Sequence, residues 1–135
     1  MKQHGSSNEQ TFHIHVASSS ETGRFLERND DAFVLYDLSN PEKAAELGTL
    51  YVLADGNGGY GAEASSIAVE TIPTAYYNES ESASPLLRLQ QAFYAANSRI
   101  HELSVTHPAG ADMSASCTAV VVRGERIWIG HIGDS

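Results

Sequence analysis

Four carboxylates at three places in this chain stand where apolar runs meet turns, and such groups can hold a cation or meet a phosphate. Asp55 follows Tyr51-Val52-Leu53-Ala54 and opens a loop with glycine at 56, 58, 59 and 61. Asp30 and Asp31 lie side by side before Ala32-Phe33-Val34-Leu35, and Asp134 follows Ile127-Trp128-Ile129-Gly130-His131-Ile132-Gly133. Three candidate strands thus each carry an aspartate at one end. Acids gathered at low dielectric repel one another and hold their protons unless a cation neutralises them. Oxygen ligands without Cys or an obvious His pair favour Mg²⁺ or Mn²⁺ over Zn²⁺.

The glycine loop permits other chemistry. Gly56-Asn57-Gly58-Gly59-Tyr60-Gly61 fits the dinucleotide fingerprint G-x-G-x-x-G, with Glu79 about 20 positions on. Asp55 directly before the first glycine would set a negative charge against a pyrophosphate. A dinucleotide fold also needs a second parallel strand after its helix. The next long stretch has apolar residues at 86, 89, 93, 96, 100 and 103, which is helical spacing. No Gly-Lys-Ser/Thr follows the glycines, so the phosphate-cradling P-loop fails too. A plain turn is the bland alternative, since Asp-Gly and Gly-Gly pairs mark turns routinely.

The elements that must position these residues follow from pattern. Phe12, Ile14 and Val16 alternate with His13 and His15, which predicts a first strand; its two histidines are read as solvent-facing and not as ligands. Leu50 to Leu53 forms the strand into the loop. A helical turn is expected after Asn40-Pro41, a helix from Gly61 to about Ala75 ended by Pro73 or the Asn78-Glu79-Ser80 stretch, and a helix capped by Ser84-Pro85 through about Leu103. Cys117 to Arg123 and Arg126 to Ile132 are strands joined at Gly124-Glu125. His131 is read as a satisfied core histidine.

Composition bounds the rest. The chain has 135 residues, 41% hydrophobic, with a formal net charge of -9. That charge argues against nucleic acid or an anionic membrane as partner. The single cysteine, Cys117, excludes an internal disulfide and fits a reducing compartment, so a cytoplasmic location is expected. The first 20 residues lack an apolar core for a signal peptide, and no window approaches the 18 apolar residues of a membrane span.

Taken in order, the motifs resemble those of the metal-dependent protein phosphatase 2C family. Arg28-Asn29-Asp30-Asp31-Ala32-Phe33 is similar to its N-E-D-x-F motif, and Asp55-Gly56-Asn57-Gly58-Gly59 to its D-G-x-G-G loop. Met113-Ser114-Ala115-Ser116-Cys117-Thr118-Ala119 is similar to its M-G-[ST]-T-x-T-A strand entry, and Gly133-Asp134-Ser135 to its G-D-S-R turn. The resemblance implies an α+β fold, a layered β-sandwich flanked by helices, of which this chain supplies the first five strands and two helices. Residues 1–10 would be a loose tail and 11–135 the N-terminal portion of the domain.

The function implied is hydrolysis of phosphoserine or phosphothreonine esters by water activated at a two-metal site, with no covalent enzyme intermediate. Asp55 would bridge two Mg²⁺ or Mn²⁺ ions and Gly56 would offer its carbonyl. Asp31 would act in one metal shell, and Asp30 in the same shell or through a water. Asp134 would help hold a third ion. Asp31 and Asp55 are thus the expected catalytic residues. A phosphoprotein is the expected substrate and a serine/threonine kinase a further expected partner.

Three departures from the family pattern stand out. The phosphate-binding arginine, five residues before the second acid of the first motif, is replaced by Leu26; Arg24 or Arg28 could reach the anion, but each is read first as a surface arginine. Asn57 stands where many eukaryotic members have a histidine, and it cannot donate a proton usefully at neutral pH. The last strand also runs into a Gly-Asp-Ser turn with no return strand after it, so the chain is expected to be the front part of a larger domain. An inactive fragment or pseudophosphatase serving as a binding module is the alternative.

Overall fold

The computed structural model describes residues 14–36, 38–78, 84–107 and 112–135. The expected tail at residues 1–10, together with Phe12 and His13, lies outside them. Two apolar stretches alternate in-and-out and dominate the architecture. In β2 (Thr49–Asn57), Leu50, Val52 and Ala54 are buried; in β3 (Ser114–Arg123), Cys117, Ala119 and Val121 are buried. A two-residue period puts these six on one face. β1 (Asp31–Tyr36) pairs with the outer side of β2, and β4 (Arg126–Ile132) with the outer side of β3. The sheet order is β1-β2-β3-β4 and every pairing is antiparallel. Among the described residues there is therefore no parallel pair of the kind a dinucleotide fold requires.

The helices start where the sequence supplies caps. The Asn40 side chain accepts from the backbone N–H groups of Glu42 (2.9 Å) and Lys43 (3.2 Å) at the head of α1 (Pro41–Leu47). Ser84 Oγ accepts from Leu87 N–H at 3.3 Å at the head of α3 (Pro85–Thr106). Each cap contributes about 1 kcal/mol. Between them, α2 (Gly61–Asn78) and α3 lie together on the buried face of the sheet. Ile72, Tyr76, Leu89 and Ala92 close over Leu50, Val52 and Val121, with Trp128 packed at the margin.

Several expectations need correction. The described residues hold four strands and three helices, not five and two. Ile14 to Val16 are exposed and belong to no strand. Of the two ends considered for α2, Pro73 and the Asn78 stretch, the second holds. A mid-helix proline removes one hydrogen bond and costs ~3 kcal/mol. Here Pro73 is buried, and the turn beyond it is tied down: Tyr76 OH donates to Leu47 O at 2.7 Å and Tyr77 OH to Gly48 O at 3.0 Å. Those anchors outweigh the local preference. The hairpin at Gly124-Glu125 forms as expected, with Arg123 opposite Arg126 and Gly124 at φ 57°.

Among the described residues no helix lies over the opposite face of the sheet. Phe33, Leu35, Leu53, Ile127 and Ile129 are exposed there, so the described layers are one sheet and the helices on one side. No described helix is long and apolar enough to cross a membrane.

Candidate functional site

The antiparallel order brings the start of β1, the end of β2, the start of β3 and the end of β4 to the same end of the sheet. Register then sets the carboxylates: Asp31 lies directly opposite Asp55, and Asp55 opposite Ser116. Asp55 is thus not past the strand, as the apolar run suggested, but inside it, because the ladder continues through Gly56↔Ala115 and Asn57↔Ser114. Asp30 lies just ahead of β1, and its carbonyl accepts from Gly56 N–H at 3.0 Å. Asp134 lies two residues beyond β4, after Gly133, which bends at φ 104° against Ser116.

These neighbours tune one another. Asp55 is held above the ordinary carboxylate value, first by desolvation, then by the charge of Asp31 and a hydrogen bond shared with it, and then by the charges of Asp134 and Asp30. Two carboxylates facing across a ladder disfavour the charge on Asp55, and a cation between them would relieve that cost.

Glycine is required at the loop for reasons of space. A Cβ on Gly56 would run into the Gly61 carbonyl and lie 2.6 Å from the Asp30 carbonyl oxygen. Gly58 has φ 86° and sits against Asp112. The Tyr60 N–H bonds the Asp112 carbonyl at 3.1 Å, and the Tyr60 ring lies 4.4 Å from that of His107. Asn57 builds the turn: its side-chain oxygen accepts from Gly58 N–H at 2.8 Å.

Two clefts open beside the acids. The larger, about 660 Å³, is lined by Leu26, Arg28, Asp30, Asp31, Asp55 and Gly56 among others. The smaller, about 180 Å³, is lined by Asp31, Asp55, Ser116, Thr118 and Ser135, with the Ser116 and Ser135 hydroxyls in contact. His131 is satisfied but exposed, not core: its Nδ1 meets Thr118 Oγ1 at 2.8 Å and its Nε2 the Gly133 carbonyl at 3.2 Å. The second contact requires the proton on Nε2, so in the neutral ring Nδ1 accepts from Thr118.

The donor set suits a hard cation in kind. Asp30 Oδ1 is buried and is partnered by the Arg28 guanidinium, whose Nε stands 2.7 Å away. Carboxylate and carbonyl oxygens are the ligands such a cation takes. In number the set is short: no three His, Cys, Asp or Glu side chains among the described residues come together as a metal centre. Cys117 is no part of it, since burial pushes its thiol up to about 12. Arg28 and Arg24 are exposed, as read, but Arg28 also makes a long-range contact. Arg28 Nη2 donates to the Gly59 carbonyl at 2.7 Å, 31 residues away, a contact no local pattern signals.

At the level of sequence, no family profile and no curated protein matches the chain. Solved structures do. The serine/threonine phosphatase PstP/Ppp of Mycobacterium tuberculosis superposes with a TM-score of 0.65 at 27% identity, over 84% of this chain and 44% of that one. The PPM Ser-Thr phosphatase MsPP of Mycobacterium smegmatis, in complex with cacodylate, gives 0.64 at 28%, over 85% and 44%. The catalytic domain of PstP in complex with two manganese ions gives 0.63 at 28%, over 84% and 45%. The chain spans less than half the length of each. It carries the fold of the N-terminal part of the PPM-family serine/threonine phosphatase catalytic domain.

Proposed function

We propose that this chain supplies the metal-binding half of a protein serine/threonine phosphatase acting on phosphoserine and phosphothreonine esters. The observation that supports it best is the in-register pair Asp31 and Asp55, at the same end of the sheet as Asp30 and Asp134 and beside a loop closed by glycine on glycine. Asp55, Asp31 and Asp30, with the Gly56 carbonyl, would hold Mg²⁺ or Mn²⁺, and Asp134 would help hold a further ion. When bound, two such ions activate water and neutralise the charge that develops on the phosphoryl group.

The chain's own residues do the rest. Asp55, whose charge is disfavoured by desolvation and by its acidic neighbours, gains most from a cation beside it. Gly56 and Gly61 let two backbone segments touch, which fixes the Gly56 carbonyl beside Asp30. Cys117, buried with its proton held, offers no competing nucleophile. The substrate is a phosphoprotein, with a partner serine/threonine kinase acting in the same cytoplasmic setting.

A second reading, a non-catalytic binding module, is favoured by Leu26, by Asn57 spent on a turn, and by the short ligand set. One assay separates them. The chain is joined to the C-terminal part of MsPP and given a phosphoserine peptide with Mn²⁺. Turnover that vanishes in chelator is expected. A folded chimera that binds Mn²⁺ and never turns over would decide for the binding module. The chain of residues 1–135 by itself is expected to show none, and robust Mn²⁺-dependent turnover by it would overturn the half-site account.

A further inference from the structure

We infer that two copies of this chain join through the free edge of β4, forming one continuous sheet about a two-fold axis. The inference is independent of the phosphatase reading. β4 ends the sheet order, so among the described residues its outer row of backbone N–H and C=O groups pairs with no strand. A free edge is a template for another strand, and proteins blunt such edges with proline, lysine, inward charges or bulges. The seven residues Arg126–Ile132 carry no proline, lysine or acid, and their register with β3 runs without a bulge.

The side chains around this edge agree. Ile127 and Ile129 on the open face, and Ile132 on the helix face, are each more than half exposed. Beside them a groove of about 520 Å³ lies between α3 and β4, lined by Leu89, Phe93, Gly130 and Ile132 among others. Gly130 lets the groove form, since a Cβ there would come within 2.6 Å of the Phe93 ring. Leu86 and Tyr94 also line it, and both are largely exposed. An edge strand beside such a groove takes an added strand on its backbone and alternate side chains in its pockets.

The occupant is a second copy, because the two ends of β4 differ in charge. Arg123 and Arg126 against Glu125 leave the hairpin end positive, and Arg126 has no ion pair among the described residues. Asp134 lies two residues past the other end, at the end of the sheet that holds Asp31 and Asp55. An antiparallel pair of β4 strands sets each positive end beside the partner's negative end, whereas a parallel pair sets like against like. Two-fold symmetry makes that contact self-complementary and closes it at two copies. The two α3 helices then flank the joined strands, with Leu86 and Tyr94 on the sides that meet.

The other unpartnered surfaces serve less well. β1, the opposite edge, begins at Asp31 directly after Asp30 and has no basic residue to meet them. The open face of the sheet carries Asp31 and Asp55 together with Phe33 and Leu53, by the two-residue period. Packing two copies face to face would take those acids out of water with no counter-charge, whereas edge pairing leaves them hydrated.

The test is sedimentation of the chain of residues 1–135 over a concentration series, in chelator at physiological ionic strength. A monomer–dimer equilibrium with no larger species is expected. Arg126→Glu and Asp134→Arg should each weaken the dimer about tenfold, since roughly threefold per exposed ion pair counts twice by symmetry. The double variant should return to within about threefold of the parent, because the exchanged charges attract again. Leu53→Lys, on the open face, should stay within about twofold of the parent. All three side chains are exposed, so the fold should tolerate each change. Hydrogen exchange needs no variant: β4 amides should slow as concentration rises, and β1 amides should not. A monomer at every concentration up to millimolar, a dimer dissolved by Leu53→Lys, a double variant no tighter than either single one, protection gained in β1, or growth beyond two copies would overturn the inference.

Discussion

Replacing Asp55 by Asn is expected to weaken Mn²⁺ binding by more than about 100-fold while making the metal-free fold more stable at neutral pH. The first effect follows from position: Asp55 is the carboxylate on which Asp31, Asp30 and Asp134 all act. Even outer-shell partners of a metal are worth 10- to 100-fold in affinity, so loss of a central anionic ligand should exceed that. The second effect follows from linkage. A carboxyl whose pKa is raised by folding binds its proton more tightly in the native state. The folded chain therefore loses stability as pH rises from the ordinary value of 3.8 through the raised one, and above that window the full penalty remains. Asparagine carries no such penalty. Thermal melting in chelator at pH 7 should give a higher midpoint for Asp55→Asn than for the parent, and the gap should close below pH 3.8. With saturating Mn²⁺ the order should reverse, because only the parent gains stability by binding. A variant less stable than the parent at pH 7 in chelator would show that the acids do not repel.

Leu50→Ala is expected to remove most of the stability of the chain. Leu50 has no exposed surface and sits on β2 where α2 and β3 meet. Truncating a leucine in such a position costs 2–5 kcal/mol, against a total of 5–15 kcal/mol for an ordinary domain. This sheet has one covered face, and the other leaves Leu53, Ile127 and Ile129 in water, so its margin should lie at the low end of that range. Trp128, the single tryptophan, packs against the core and reports its loss by fluorescence during urea unfolding. A midpoint close to that of the parent would mean that the core under the helices is not what holds the sheet together.

What could be read from the sequence was what chain-local chemistry writes there. Asn40-Pro41 and Ser84-Pro85 announce helix starts because the cap and its target N–H are two or three residues apart. The Gly124-Glu125 hairpin is legible for the same reason, and the acid-bearing strand ends could be seen because apolar runs meet charge. Register could not be seen. That Asp55 continues the β2 ladder and faces Asp31 depends on how β1, β2 and β3 align, and backbone hydrogen bonds do not depend on the side chain they pass. The local pattern left Pro73 and Asn78 both open as the end of α2, because the cost of the proline is visible while the Tyr76 and Tyr77 anchors to Leu47 and Gly48, 29 residues away, are not. Arg28 is a surface residue, as read, but its hydrogen bond to Gly59 was not legible, since it exists only once the chain has folded back. His131 was read as core from the apolar run around it, although a two-residue period sets it on the open face beside Thr118.

The most direct test of the central claim, that one end of this sheet is a divalent-metal site built on Asp55, is the paramagnetic broadening of backbone amide resonances by substoichiometric Mn²⁺. The account predicts loss of signal first at Asp30, Asp31, Asp55, Gly56 and Asp134, with the β3–β4 turn at Gly124 unaffected and Asp55→Asn abolishing the pattern. Broadening that begins elsewhere on this acidic chain, or that persists unchanged in Asp55→Asn, would contradict it.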